Sequence, residues 1–422
     1  MRSERLVLDT GLGSMNLSMR PLAIATLLVS MLIVGGCSAP SREMAVPRAL
    51  TTEAEIAGIP NARFWPDDPA SIEAMIQAAF TSIEAEEAAG AVPDADGNLP
   101  PVSFLAISGG GDHGAFGAGL LVGWTRSGKR PEFKLVTGVS TGALTAPFAF
   151  LGPDYDDELK AVYTTITADD VFVQRGVFAA LFNDALSDTA PLRKLVAKHV
   201  TPELMAAIAA EYAKGRFLLI ASTDLDARRP VIWNIGAIAT VGSPEALELI
   251  RSILVASAAI PGAFPPVMID VEVDGVSYQE MHVDGGAMAQ AFIYPPQLNL
   301  AAASQEYGVE RERTAYIIRN ARLDPDWASV ERQTMGIAGR AISSLIQTQG
   351  VGDLYRMYLE TQRDGVDYNL AYIGPEFDAP GGGTFDTKFM NALFDYGYKL
   401  GWKGYPWKKL PPGFAQSVPV AQ

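Results

Sequence analysis

The sequence predicts a layered α/β fold with a mostly parallel sheet, on three observations. From Val102 onward, short apolar runs alternate with helical stretches, the signature of strand–helix–strand units. The first two runs each end in a glycine-framed turn. These are Gly109-Gly110-Gly111-Asp112-His113-Gly114 and Gly138-Val139-Ser140-Thr141-Gly142. Finally, 422 residues with 48% hydrophobic content and 19% charged residues are enough for a sizeable core in one large domain or two.

The first 36 residues read as a targeting segment. Arg20 supplies a positive charge, residues 22–34 carry none, and Val34-Gly35-Gly36 leads into Cys37, the sole cysteine. The apolar run is shorter than the roughly 20 residues that a spanning helix needs. It resembles a bacterial lipoprotein signal, which implies that Cys37 is acylated and becomes the mature N-terminus. An uncleaved anchor and a plain secretory signal are the alternatives. Residues 1–14 do not fit such a signal, so Met15 or Met19 is the expected start. Ser38 follows the cysteine where an aspartate would signal retention, and this resemblance implies an outer-membrane address in a bacterial envelope. A single cysteine excludes disulfides within the chain. The net charge of -15 argues against nucleic acid as a partner and against adhesion to anionic lipid. Membrane contact then has to be apolar or covalent.

Residues 37–100 read as a tether and a helical extension. Pro40, Pro47, Pro60, Pro66 and Pro69 punctuate its start. Residues 71–89 carry Ile72, Met75, Ile76, Ala79, Phe80 and Ile83 at helical spacing. A Pro/Gly/Asp break over 92–101 ends it. The main domain is expected over 101–299. It opens with a buried strand at 102–107, then a helix over 114–124, a strand at 133–137 and an apolar helix at 143–150, stopped by Gly152-Pro153. A third strand is expected at 217–221, with 231–233 pairing to it. Runs at 267–273 and 276–278 flank Asp274-Gly275, a hairpin signal. Residues 300–422 form a C-terminal extension, expected to pack on the domain, with a helix over 342–360 and a Gly/Pro-rich stretch at 374–383. Its end, 398–412, is aromatic and basic, with Lys399, Lys403, Lys408 and Lys409. It is expected to pack on the domain rather than to touch a membrane.

The chemistry centres on Ser140. A strand-to-helix elbow exposes a serine hydroxyl and aims a helix N-terminus at it, which favours developing negative charge. A Cβ at Gly138 or Gly142 would crowd that turn. The hydroxyl also needs a base. The glycine loop offers bare N–H groups to an oxyanion, with Gly110 and Gly111 best placed and Gly117 and Gly119 serving helix–sheet packing. A dinucleotide-binding reading of the same glycines lacks its acidic ribose ligand after a second strand. The chain has three histidines, His113, His199 and His282. None stands late in the chain, where an α/β-hydrolase triad would place one. His199 reads as a solvated surface residue. A carboxylate base is therefore considered, and Asp284 in His282-Val283-Asp284-Gly285-Gly286 is the best candidate, with a simple turn as the alternative.

These motifs in this order resemble the patatin-like phospholipases: Gly109-Gly110-Gly111-x-x-Gly114, Gly138-x-Ser140-x-Gly142 and Asp284-Gly285-Gly286. Residues 256–266, Ala-Ser-Ala-Ala-Ile-Pro-Gly-Ala-Phe-Pro-Pro, look like the family's proline-containing block. The resemblance spans about residues 102–293. It implies a three-layer α/β/α domain and a Ser–Asp dyad that cleaves acyl esters of lipids. Ser140 would be the nucleophile and Asp284 the base, with oxyanion donors from Gly110 and Gly111. The chain departs from the family at His113, where many relatives carry Arg or Lys, and at Gly286, where alanine is common.

The expected protein is thus a lipid-anchored acyl hydrolase acting through an acyl-enzyme on lipid or other acyl esters. No ligand-spaced cluster of His, Cys and carboxylates stands in the chain, so neither metal nor cofactor is expected, and activity should not depend on calcium. Two other classes stay open. One is a Ser–His esterase or peptidase using His282 or His113; the other is a non-catalytic envelope lipoprotein.

Overall fold

Proline and small polar caps set where many of the elements begin. The computed structural model describes residues 41–56, 58–175, 184–325, 327–381 and 383–414. The expected signal segment, Cys37 and the candidate starts Met15 and Met19 lie outside the described residues. A short strand β1 (Arg63–Phe64) precedes helix α1 (Pro69–Ala88). Asp68 caps α1 by accepting the Ser71 N–H at 2.8 Å, and Pro69 occupies the first helical position, where no donor is needed. Then come β2 (Val102–Ile107), α2 (Gly114–Arg126), β3 (Phe133–Val139), α3 (Thr141–Leu151) and α4 (Asp156–Thr164). A small two-stranded ribbon, β4 (Val173–Gln174) and β5 (Ser187–Asp188), leads to α5 (Ala190–His199) and α6 (Pro202–Tyr212).

The second half runs β6 (Phe217–Asp224), β7 (Arg229–Asn234), α7 (Ile235–Ala239) and α8 (Pro244–Ser257), the last capped by Ser243. The expected hairpin follows as β8 (Val267–Val273) and β9 (Val276–Asp284). Asp274 and Gly275 take φ of 51° and 78°, the left-handed pair that a tight two-residue turn requires. Strand β9 is much longer than the sequence suggested, and its length delivers Asp284. The chain closes with α9 (Leu300–Glu306), β10 (Arg313–Arg319), α10 (Thr334–Arg363), β11 (Asp367–Tyr372) and α11 (Thr387–Lys403).

The sheet runs β1-β7-β6-β3-β2-β10-β11. The five strands from β6 to β11 are parallel; β7 runs antiparallel to β6, and β1 antiparallel to β7. The sheet therefore crosses residue 299, since β10 lies between β2 and β11. Alternate residues of each strand feed two cores. Leu105, Ile107 and Ile220 pack with Phe116 of α2, Phe148 of α3 and Leu393 of α11. Phe104, Ala106 and Leu219 pack on the other face with Met75 of α1 and Leu354 and Met357 of α10. This is a three-layer α/β/α domain. Gly119 departs from expectation. A Cβ there would overlap the Phe394 carbonyl of α11, so it serves helix–helix rather than helix–sheet packing.

Candidate active site

Strand β3 ends at Val139 and α3 begins at Thr141, leaving Ser140 to make the whole turn. Its φ of 56° and ψ of -125° are strained for any residue with a side chain. The strain is held by close approach on both sides. A Cβ at Gly138 would run into the Gly142 backbone, and one at Gly142 would overlap the Ile107 carbonyl. The Ser140 N–H donates to Ser257 Oγ at 3.0 Å, and Ser257 Oγ donates to the Ala221 carbonyl at 2.6 Å. Ser140 stands at the N-cap position of α3, yet its hydroxyl caps nothing. It is left to bond elsewhere.

Asp284 reaches this hydroxyl because of sheet register. Strand β3 pairs with β6 up to Val139, opposite Ala221. One residue further along β6, Ser222 pairs with Asp284 of the antiparallel β9. Strand β9 thus enters from the opposite direction the lane that β3 leaves at the elbow. The Asp284 carboxylate stands beside the Ser140 side chain, whose hydroxyl favours its charged form, and accepts the Gly286 N–H at 2.7 Å. Its own N–H donates to the Ala259 carbonyl at 2.9 Å. Burial pushes its pKa up to about 6, against the lowering pull of the Ser140 hydroxyl and the Gly286 N–H.

The glycine loop lies against the same serine. A Cβ on Gly109 would stand 3.1 Å from Ser140 Cβ and 3.8 Å from its Oγ. Gly109 donates to the Gln290 carbonyl at 3.0 Å. Gly110 and Gly111 follow with φ of 156° and 58°, and their N–H groups have no hydrogen-bond partner among the described residues. Asn320, at the end of β10, braces the loop. Its Nδ2 donates to the Ser108 carbonyl at 3.0 Å and its Oδ1 accepts the Gly117 N–H at 3.0 Å. Asp112 accepts the Phe385 N–H at 3.0 Å, tying the loop to the segment before α11. Gly114 opens α2 where a Cβ would overlap Thr141 Oγ1. Gly285 packs on the Ala221 carbonyl, and Gly286 accepts a 2.8 Å bond from Gln290 Nε2.

The histidines are engaged elsewhere. His282 is fully buried, with Nδ1 2.9 Å from Ser222 Oγ and Nε2 3.0 Å from Glu280. Glu280 also pairs with Arg63. Burial opposes its ionisation, but the His282 hydrogen bond and the Arg63 charge outweigh that and hold it at about 2. His113 is half-exposed and turns its ring edge-on to Phe389. His199 ends α5 half-buried against Phe148, not solvated as expected.

The sequence sets Ser257 within the proline-containing block but assigns it no role, and nothing in the sequence singles out Gln290 or Asn320. Ser257 carried one faint signal: a hydroxyl closing an otherwise apolar helix end.

Comparison with known proteins adds the following. The model of the patatin-like phospholipase family matches residues 105–294. Among solved structures, the crystal structure of VipD from Legionella pneumophila is similar at 12% identity with a TM-score of 0.34, over 74% of this chain and 69% of that one. No curated protein matches.

Proposed function

Residues 105–294 form a patatin-like phospholipase domain, the fold of a lipid acyl hydrolase family, and from that premise we propose that Ser140 and Asp284 hydrolyse acyl esters of lipids as a dyad. Asp284 takes the Ser140 proton as Oγ attacks the ester carbonyl carbon. The carbonyl electron pair moves onto oxygen, where the Gly110 and Gly111 N–H groups receive it. Collapse breaks the ester bond, and the leaving alcohol takes the proton from Asp284. Asp284 then deprotonates water, which attacks the acyl-serine; the second collapse releases the fatty acid and returns the proton to Ser140. The carrying observation is that strand register sets the Asp284 carboxylate beside Ser140 while the glycine loop lies against the same side chain.

A lipid-type substrate is supported by the rim. Ile260 and Met288, one on each of the loops that hold Asp284, are exposed apolar residues at 38% and 39%. Acylation of Cys37 would hold the domain at a bacterial envelope, with the outer membrane as its address.

The test is product analysis on a mixed panel of phospholipid, lysolipid and triglyceride, with labelling by a fluorophosphonate probe. Free fatty acid and a label lost in Ser140→Ala are expected. Labelling without any ester hydrolysis would shift the reading to another acyl substrate, and absence of both would leave a non-catalytic lipoprotein. Abolished hydrolysis in His113→Ala, with the fold intact, would restore the Ser–His alternative.

The pH profile follows from Asp284. The base works as the carboxylate, so kcat/KM on a soluble ester should rise about tenfold per pH unit below 6 and level off above it. A plateau extending down to pH 4 would show that a different group takes the proton.

A further inference from the structure

The end of the central strands opposite the dyad holds a second site. An apolar cavity of about 120 Å³ lies between α1 and the sheet, near the residues that open β2, β6 and β10. Ser140 and Asp284 stand at the other ends of their strands. Met75, Ile83, Phe104, Leu219 and Leu300 form the body of the cavity. Its lining also includes three cations, Lys134, Arg311 and Arg313.

Their charges are not balanced. Lys134 and Arg311 share one carboxylate, Glu86, with Arg311 Nη2 at 2.7 Å. Lys134 otherwise bonds neutral acceptors, Ser82 Oγ at 3.0 Å and the Gly215 carbonyl. Arg313 has no carboxylate at ion-pair distance among the described residues. Its donors reach Ser304 Oγ at 2.7 Å and the Arg311 carbonyl at 3.4 Å. Asp364 acts on Arg313 from a distance and is itself paired with Arg363 at 2.7 Å. Burial lowers Lys134 to about 8 despite Glu86, and lowers Arg313 as well. Three cations facing one carboxylate leave room for an anion at the polar end of a greasy cavity.

We infer that this cavity binds a fatty acid, with the alkyl chain among the apolar residues and the carboxylate on Arg313. A cavity of roughly 150 Å³ takes a six-carbon ring, so about five or six chain carbons fit within the space here. Hydrolysis as proposed above would make the ligand a product of the same protein, but the binding claim does not depend on that reading.

Calorimetric titration of butanoate, hexanoate, octanoate and octan-1-ol into full-chain Ser140→Ala protein separates binding from turnover. Affinity should tighten about fourfold per added methylene until the cavity is full, then level off. Octan-1-ol should bind at least about tenfold more weakly than octanoate, as expected for loss of a charge-assisted pair. Arg313→Gln should weaken octanoate by a similar factor, with partial recovery in Arg313→Lys, and Ala79→Phe should remove binding by filling the space. Introduced with Ser140 intact, these changes should leave soluble-ester hydrolysis unchanged. Undetectable octanoate binding, or binding unaltered by Arg313→Gln, would overturn the inference. Arg313→Gln decides the matter even where Ala79→Phe does not fold.

Discussion

Asp284→Asn is expected to lower kcat on a soluble short-chain ester by about four orders of magnitude, the scale seen when the acidic member of an activated-serine site is removed. An amide keeps the shape of the side chain and can still accept the Gly286 N–H, but it cannot take the Ser140 proton. The loss should fall on kcat, since the change leaves the apolar rim in place. Fluorophosphonate labelling should slow in parallel, because the probe needs the same activated oxygen. The same substitution should make the protein more stable at neutral pH. Burial raises the folded-state pKa to about 6 from an ordinary value of 3.8. An acid raised on folding is easier to ionise in the unfolded chain, so the wild type loses stability as pH climbs from about 4 to 6 and stays penalised above that. Two units correspond to about 3 kcal/mol at most. Asparagine escapes this cost. Thermal melts at pH 8 should show a higher midpoint for the variant, and the difference should shrink towards pH 4. An inactive variant that melts lower at every pH would mean that Asp284 is a structural turn residue.

This opposition of activity and stability was only half legible in the chain. The elbow at Ser140 could be read because its causes are local: an apolar strand, two flanking glycines and a helix. Asp284 could be nominated from its two glycines, but its partnership rests on strand β9 running well past residue 278 and pairing with Ser222. No local pattern announces that register. Ser257 bonds across 117 positions to Ser140, and Asn320 across 212 positions to Ser108. Such residues are defined by their partners, and nothing in their neighbours distinguishes them. Strands β10 and β11 escaped for a related reason. Both lie in a tail that followed the recognisable motifs, and Arg-Thr-Ala-Tyr-Ile-Ile-Arg and Asp-Tyr-Asn-Leu-Ala-Tyr carry polar ends that blur a strand signal. Their pairing to β2 is non-local. The His282 network was hidden too, since Arg63, Glu280 and Ser222 come from three strands.

Gly110→Ala should cost about 100- to 1,000-fold in kcat, the loss expected from one displaced oxyanion donor. The methyl group would overlap the Asn320 carbonyl oxygen and come within 2.8 Å of Asn320 Cβ. Asn320 cannot easily give way. Its N–H donates to Ser108 Oγ at 2.9 Å, its Nδ2 to the Ser108 carbonyl and its Oδ1 accepts the Gly117 N–H. The loop must move instead, and Gly110 carries a φ of 156° that side chains rarely adopt. Both effects turn the Gly110 and Gly111 N–H groups away from the Ser140 oxygen. Overpacking of this kind costs about 1–3 kcal/mol in stability, so the variant should still fold. Asn320→Ala separates the two causes. It leaves the glycine backbone free but removes the brace, so it should lower kcat by a smaller factor than Gly110→Ala. The decisive measurement sets the change in kcat against the change in KM. A donor that acts only on the developing oxyanion lowers kcat and leaves KM for a short soluble ester nearly unchanged. A Gly110→Ala enzyme with full kcat would show that the oxyanion is held by other groups, and the role given to the glycine loop would fail while the Ser140–Asp284 pair stood.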